Sequence, residues 1–84
     1  MRNRYRIAKM LPVQCRMARI ALEWGVRELA DAADVSTNTV TRFEKGDELK
    51  QRTVDAMRTA MEAKGVVFVE AGDTADGYGV TIKA

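Results

Sequence analysis

The run from Ser36 to Lys45, "STNTVTRFEK", holds the side chains of this 84-residue chain best suited to recognition chemistry. Only Val40 and Phe43 within it are apolar. On a helix these two fall on one side, with Ser36 and Thr39 nearby. The other side presents Thr37, Asn38, Thr41, Arg42 and Lys45, all short hydrogen-bonding groups or cations, with no acid among them. Glu44 falls at the margin of the buried side. Threonine and asparagine are poor helix formers, so helical stability is a weak reason for their presence. A helix lying in the major groove of DNA wants such groups. Asparagine pairs two-pronged with adenine, arginine with guanine, and threonine bonds a base edge or touches the thymine methyl. Thr37, Asn38, Thr41 and Arg42 are therefore candidate base-reading residues. Ser36 and Lys45, at the two ends, are placed to grip phosphates. The same composition also suits an ordinary solvent-facing helix, and this segment alone leaves both readings open.

The flanking sequence supplies elements that could hold such a helix. A first helix is expected over residues 12–24, since proline suits the first helical position. Val13, Cys15, Met17, Ala18, Ile20, Ala21, Leu22 and Trp24 cover a broad apolar arc there, opposite Arg16, Arg19 and Glu23. Cys15 lies on that arc as a packing residue. Gly25 breaks the run. A short second helix follows over 26–33, with Leu29, Ala30 and Ala33 on one side. Asp34 occupies a tight turn, where aspartate tolerates left-handed backbone. Ser36 then caps a third helix over 37–45, which Gly46 stops. Thr53 caps a fourth over 54–64, where Val54, Met57, Ala60 and Met61 recur at helical spacing. Beyond Gly65 the period changes. "VVFVE" (66–70) and "YGVTIK" (78–83), separated by "AGDTADG", are expected to form a β-hairpin. The fold class is mainly α: four helices in a compact helix-turn-helix arrangement, then a C-terminal β-hairpin. Helix, tight turn and exposed second helix place a reading element in a groove while the first crosses the backbone. Leu29, Ala30, Val35, Val40 and Phe43 fill the seam.

Composition narrows the function classes. With 46% apolar residues the chain is globular, and its length suits one domain. A single cysteine allows no internal disulfide, and without histidine neither a Cys/His zinc site nor a histidine-based catalytic group is available. No paired acids stand in a glycine-rich or strand-end setting. An enzyme, a metal and a cofactor are accordingly not expected, nor is a small-molecule ligand, since there is no second domain to hold one. No apolar run approaches the length of a membrane span, which leads to the expectation of a cytoplasmic protein. Charge is uneven. Arg2, Arg4, Arg6, Lys9, Arg16 and Arg19 precede the first acid, Glu23, whereas Glu70, Asp73 and Asp76 outnumber Lys83 in the tail. A basic front suits an anionic partner such as nucleic acid or an acidic membrane surface, though a solvated surface has the same look.

The segment "MARIALEWGVRELADAADVSTNTVTRFEKGDELKQRTVDAMRTAMEAKGVVF" resembles the XRE-like, phage-repressor/Cro-type helix-turn-helix family. It is most similar to compact bacterial members carrying "CRxAR…LxW…ELAxxAxVSxxTVxRFExG…RTVxAxRxAxExxGVxF". The likeness covers residues 10–68, and the combination is specific where "ELA" alone would be weak. It implies a small transcriptional regulator that binds specific double-stranded DNA, often as a two-fold dimer. Carried over residue by residue, it gives Ser36 a capping and phosphate-contacting role and Lys45 a backbone-contacting one. Thr37, Asn38 and Arg42 match base-reading positions. Arg19 and Glu44 match a structural salt bridge between the first and third helices. Two departures stand out. Val26 occupies a position where the family usually has a phosphate-contacting glutamine. Asp34 and Gln51 stand where glycine and proline are common.

Three regions follow: a basic arm over 1–9, a DNA-binding domain over 10–65 and a hairpin over 66–84. The arm is either disordered or a DNA-wrapping element that enters the minor groove. The hairpin either packs Val67, Val69 or Ile82 onto the fourth helix or pairs with a second subunit to form a homodimer. A protein-interaction module of the same fold, such as an antitoxin or phage-encoded adaptor, is the alternative function. Val26 favours it by removing one expected DNA contact.

Overall fold

The computed structural model describes residues 9–70 and 77–83. Its elements are α1 (Pro12–Ala21), α2 (Val26–Ala33), α3 (Thr37–Glu44), α4 (Gln51–Glu62), β1 (Val66–Val69) and β2 (Gly79–Ile82). The fold is thus mainly α, with four helices followed by an antiparallel hairpin. Of the expected basic arm only Lys9 is described. Most of the expected hairpin loop, residues 71–76, also lies outside the described residues.

Three successive helices end in the same way. After α1, Glu23 is left-handed at φ 60°, its N–H donating to the Ile20 carbonyl at 2.9 Å and that of Trp24 to Arg19 at 2.9 Å. After α2, Asp34 is left-handed at φ 59°, with its N–H on Asp31 and that of Val35 on Ala30. After α3, Gly46 takes φ 104°, with its N–H on Phe43 and that of Asp47 on Arg42. This paired closure satisfies carbonyls that a helix end would otherwise leave orphaned. It also corrects one expectation. α1 ends at Ala21, not at Trp24, because the chain reverses at Glu23 rather than at Gly25. Gly25 is instead the extended residue before α2, its N–H donating to Glu28 Oε1 at 2.8 Å.

The start of α4 also differs from expectation. Lys50, not Thr53, precedes the first turn, and no side chain caps it. Leu49 packs against the core, so the chain is already anchored there and the helix starts at once. Thr53 lies inside the first turn, its N–H on the Lys50 carbonyl.

Every helix contributes to one core. Leu29 and Ala30 of α2 meet Val40 and Phe43 of α3 and Val54, Met57 and Met61 of α4. α1 adds Cys15 and Ala18, and Met10 closes the end. α1 departs from its predicted burial. Val13, Met17 and Ile20, spaced to share one helix face, are 55%, 38% and 62% exposed. The expected apolar arc was wider than any partner surface, so only the half facing the other elements is buried.

The hairpin pairs Val66 with Ile82 and Phe68 with Val80. It packs back onto the helices through Val66 and Phe68, both buried, whereas Val67 and Ile82 remain exposed. Arg58 of α4 lies over the Phe68 ring, 4.8 Å from its centroid, and pairs with Glu62. The strongest tie is Gln14, 1% exposed inside the core. Its Nε2 donates to the carbonyls of Val69 (2.9 Å) and Gly79 (3.1 Å), and its Oε1 accepts from the Leu11 N–H (2.9 Å). One amide thus joins the start of α1 to both strands. Among the described residues no helix is long and apolar enough to cross a membrane.

Replacing Gln14 with methionine keeps the volume and removes these bonds. A net contribution near 1 kcal/mol per buried hydrogen bond predicts a loss of about 1–3 kcal/mol in denaturant unfolding. Hydrogen exchange of the β1 and β2 amides is expected to speed up more than that of α2 or α4.

Candidate nucleic-acid interface

α3 is held at both ends and along one side. Ser36 is extended (φ −79°, ψ 156°), and its Oγ accepts the Thr39 N–H at 3.0 Å. A second bond, 2.8 Å between the Ser36 and Thr39 hydroxyls, leaves Ser36 its own proton when Thr39 is the donor. Val40 and Phe43 are buried, and Lys45 terminates the helix on the exposed side. Thr37, Asn38 and Arg42, predicted to read bases, are exposed together, while Thr41 is half-buried beside them. Ser36 and Lys45, predicted to hold phosphates, are exposed at opposite ends. Val26 is partly buried against the core and offers no polar group at the start of α2.

Behind this face lies a charged cluster. Arg19 Nε donates to Glu44 Oε2 and Arg19 Nη2 to Glu44 Oε1, both at 2.9 Å, a two-pronged pair between α1 and α3. Arg19 Nη1 also donates to the Trp24 carbonyl at 3.2 Å. The pair is largely enclosed, with side-chain exposures of 15% and 5%. Arg16 stands 3.6 Å from the same carboxylate on the solvent side. The Cys15 thiol donates to Glu44 Oε2 at 3.4 Å. Burial by itself would raise the Glu44 pKa. The Arg19 hydrogen bonds and charge, helped by the Cys15 thiol and Arg16, outweigh it and hold the carboxyl below its usual range. Burial pushes the Cys15 thiol well up, and the adjacent Glu44 charge and hydrogen bond add to this, so Cys15 remains a neutral donor.

Two participants were missed by sequence reasoning. Cys15 was read as packing alone and Arg19 was set opposite it, whereas their four-residue spacing puts both on one helix face, against the same Glu44 carboxylate. Asp47 was given no role, yet its Oδ2 accepts from Arg42 Nε at 3.1 Å on the candidate reading face. The signal was there: the closure at Gly46 sets the residue after the glycine beside the third residue from the helix end.

The cluster predicts a pH response with a definite sign. Because the folded-state pKa of Glu44 is lowered, its stabilisation is fully present above the ordinary glutamate value of 4.5 and is lost as pH falls through the folded value. Unfolding free energy measured against pH should decline through that acid window, and the Glu44→Gln variant should lack this part of the decline. At neutral pH, Glu44→Ala strands the Arg19 charge and is expected to cost about 3 kcal/mol, the low end for an enclosed pair, because Arg19 keeps a path to water.

The chain matches no protein-family model, and no curated protein matches it either.

Proposed function

We propose that the protein is a small, sequence-specific binder of double-stranded DNA and a transcriptional regulator of the XRE-like type, with α3 in the major groove. One observation carries this reading: the exposed face of α3 displays Thr37, Asn38 and Arg42 side by side, on a helix held from behind by core packing. These side chains match the donors and acceptors of base edges. Ser36 and Lys45 at the two ends suit flanking phosphates, and α2 would cross the backbone. Thr41, being half-buried, has a reach limited to a thymine methyl or a close base edge. No catalytic role and no cofactor belong to this proposal, and its place of action is the cytoplasm.

A second copy of the chain is proposed as the partner that supplies two-fold symmetry, pairing at the hairpin, where Val67, Tyr78 and Ile82 are exposed. The competing reading, a protein-interaction module of the same fold, is favoured by a different observation. Val13, Met17 and Ile20 form an outward apolar stripe on α1, a surface more suited to protein than to DNA.

Selection of bound sequences from a random DNA pool at stated salt tests the lead reading directly. Asn38→Ala and Arg42→Ala should each weaken binding to the selected site by about 1–3 kcal/mol and relax base preference. Lys45→Ala should weaken all sequences alike and flatten the dependence of log K on log salt. If both reading-face variants leave DNA affinity intact while a protein partner is lost, the interaction-module reading replaces it. A concentration-independent monomer mass in sedimentation, with and without the selected DNA, refutes the dimer.

A further inference from the structure

The three helix closures described above are alike in the backbone and differ in one respect. In each, the residue after the left-handed position returns over the residue that begins the last turn. Trp24 and Val35 do this after α1 and α2, and both pack against the core. An apolar contact at this place is the usual accompaniment of the closure. After α3 the equivalent residue is Asp47, and it lies over Arg42 as an ion pair, 3.1 Å between Nε and Oδ2. Both side chains are about half exposed, at 51% and 52%. An ion pair so open contributes little to stability, so helix closure alone does not account for an acid here. Aspartate is also the wrong charge for a surface that meets phosphates.

The geometry points to Asp47 as a positioning residue that sets the base preference of Arg42. This rests on the DNA-binding reading of α3. Two bonds fix Asp47 to Arg42: the Asp47 N–H on the Arg42 carbonyl at 3.0 Å, and the carboxylate on Nε. A free arginine side chain samples many rotamers and bonds phosphates as readily as bases. Engaging Nε holds the guanidinium plane and leaves the terminal nitrogens as the pair for the O6 and N7 of guanine. The carboxylate also offsets the Arg42 charge, which lowers attraction to phosphates at large while leaving directional hydrogen bonds intact. Asp47 therefore acts twice in the same direction, by orienting the guanidinium and by weakening contacts that carry no sequence information.

The test compares the native protein, Asp47→Leu, Asp47→Asn, Arg42→Ala and the Arg42→Ala/Asp47→Leu double variant on the same randomised DNA pool, with thermal unfolding alongside. Leucine restores the apolar contact found after the other two helices, so D47L should melt no lower than the native protein. Its discrimination at one base pair, the same one relaxed in R42A, should fall about fivefold or more, and its affinity for unrelated DNA should rise. D47N keeps an acceptor for Nε without the charge and should retain more of the discrimination than D47L. In the R42A background the leucine change should not alter base preference further. If D47L melts normally and keeps native discrimination, or if it relaxes other base pairs equally with and without Arg42, the assignment is overturned. A native protein with no base preference at any position is a different failure: it removes the DNA-binding reading, and this assignment with it.

Discussion

A two-pronged ion pair between Arg19 and Glu44 ties the first helix to the third, and the orientation of the exposed face depends on it. α3 is eight residues long and rich in threonine, well below the length at which a helix persists by itself. Its conformation is imposed from outside. Ser36 satisfies one end, the turn at Gly46 satisfies the other, and Val40 and Phe43 anchor the inner side. Hydrophobic contacts of this kind tolerate some rolling of a helix about its axis. The planar match of guanidinium and carboxylate does not. An enclosed pair of this sort is a weak source of net stability, and here its two parallel bonds set the position of the α3 end against α1.

The same pair resolves an electrostatic difficulty. A carboxylate next to the DNA-binding surface proposed for α3 would repel a polyanion. Glu44 is surrounded by Arg19, Arg16 and the Cys15 thiol, so its charge is countered before any ligand arrives. The acid next in line, Asp47, is likewise matched to a cation, but in the open rather than in an enclosed site. Glu44 behind α3 and Asp47 beside it are therefore each matched to a cation, and Lys45 is left to face outward at the end of the helix.

Much of this architecture was legible in the sequence, and the residues that made it so are those whose conformation is decided locally. Asp34 and Gly46 marked left-handed turns because few residue types accept that backbone, and the change from helical to alternating pattern at Val66 marked the hairpin. Where tertiary demands prevailed, the pattern was silent. Glutamate is not a turn signal, yet Glu23 adopts φ 60° because the chain must reverse between α1 and α2. Thr53 looked like a cap, but packing of Leu49 starts α4 earlier. The Arg19–Glu44 contact spans 25 positions, beyond the reach of any periodicity, and came only from the family likeness.

α1 inverts the expected pattern twice, and both inversions have the same origin. A polar side chain, Gln14, is inside, and three large apolar ones, Val13, Met17 and Ile20, are outside. Gln14 is inside because the hairpin docks where two strand carbonyls need a donor that no backbone group of α1 can supply. Val13 and Ile20 are outside because the core uses the opposite half of the helix, whereas Met17 ends beside Gly79 of β2. α1 consequently carries the attachments of both the hairpin and α3. Gln14 fixes the hairpin, Arg19 fixes α3, and Val13, Met17 and Ile20 are exposed along the same helix. Both attachments lie on one continuous helix of ten residues, so they are coupled through its backbone. Any contact that moved α1 as a unit would move Arg19, and with it the carboxylate that sets the rotation of α3.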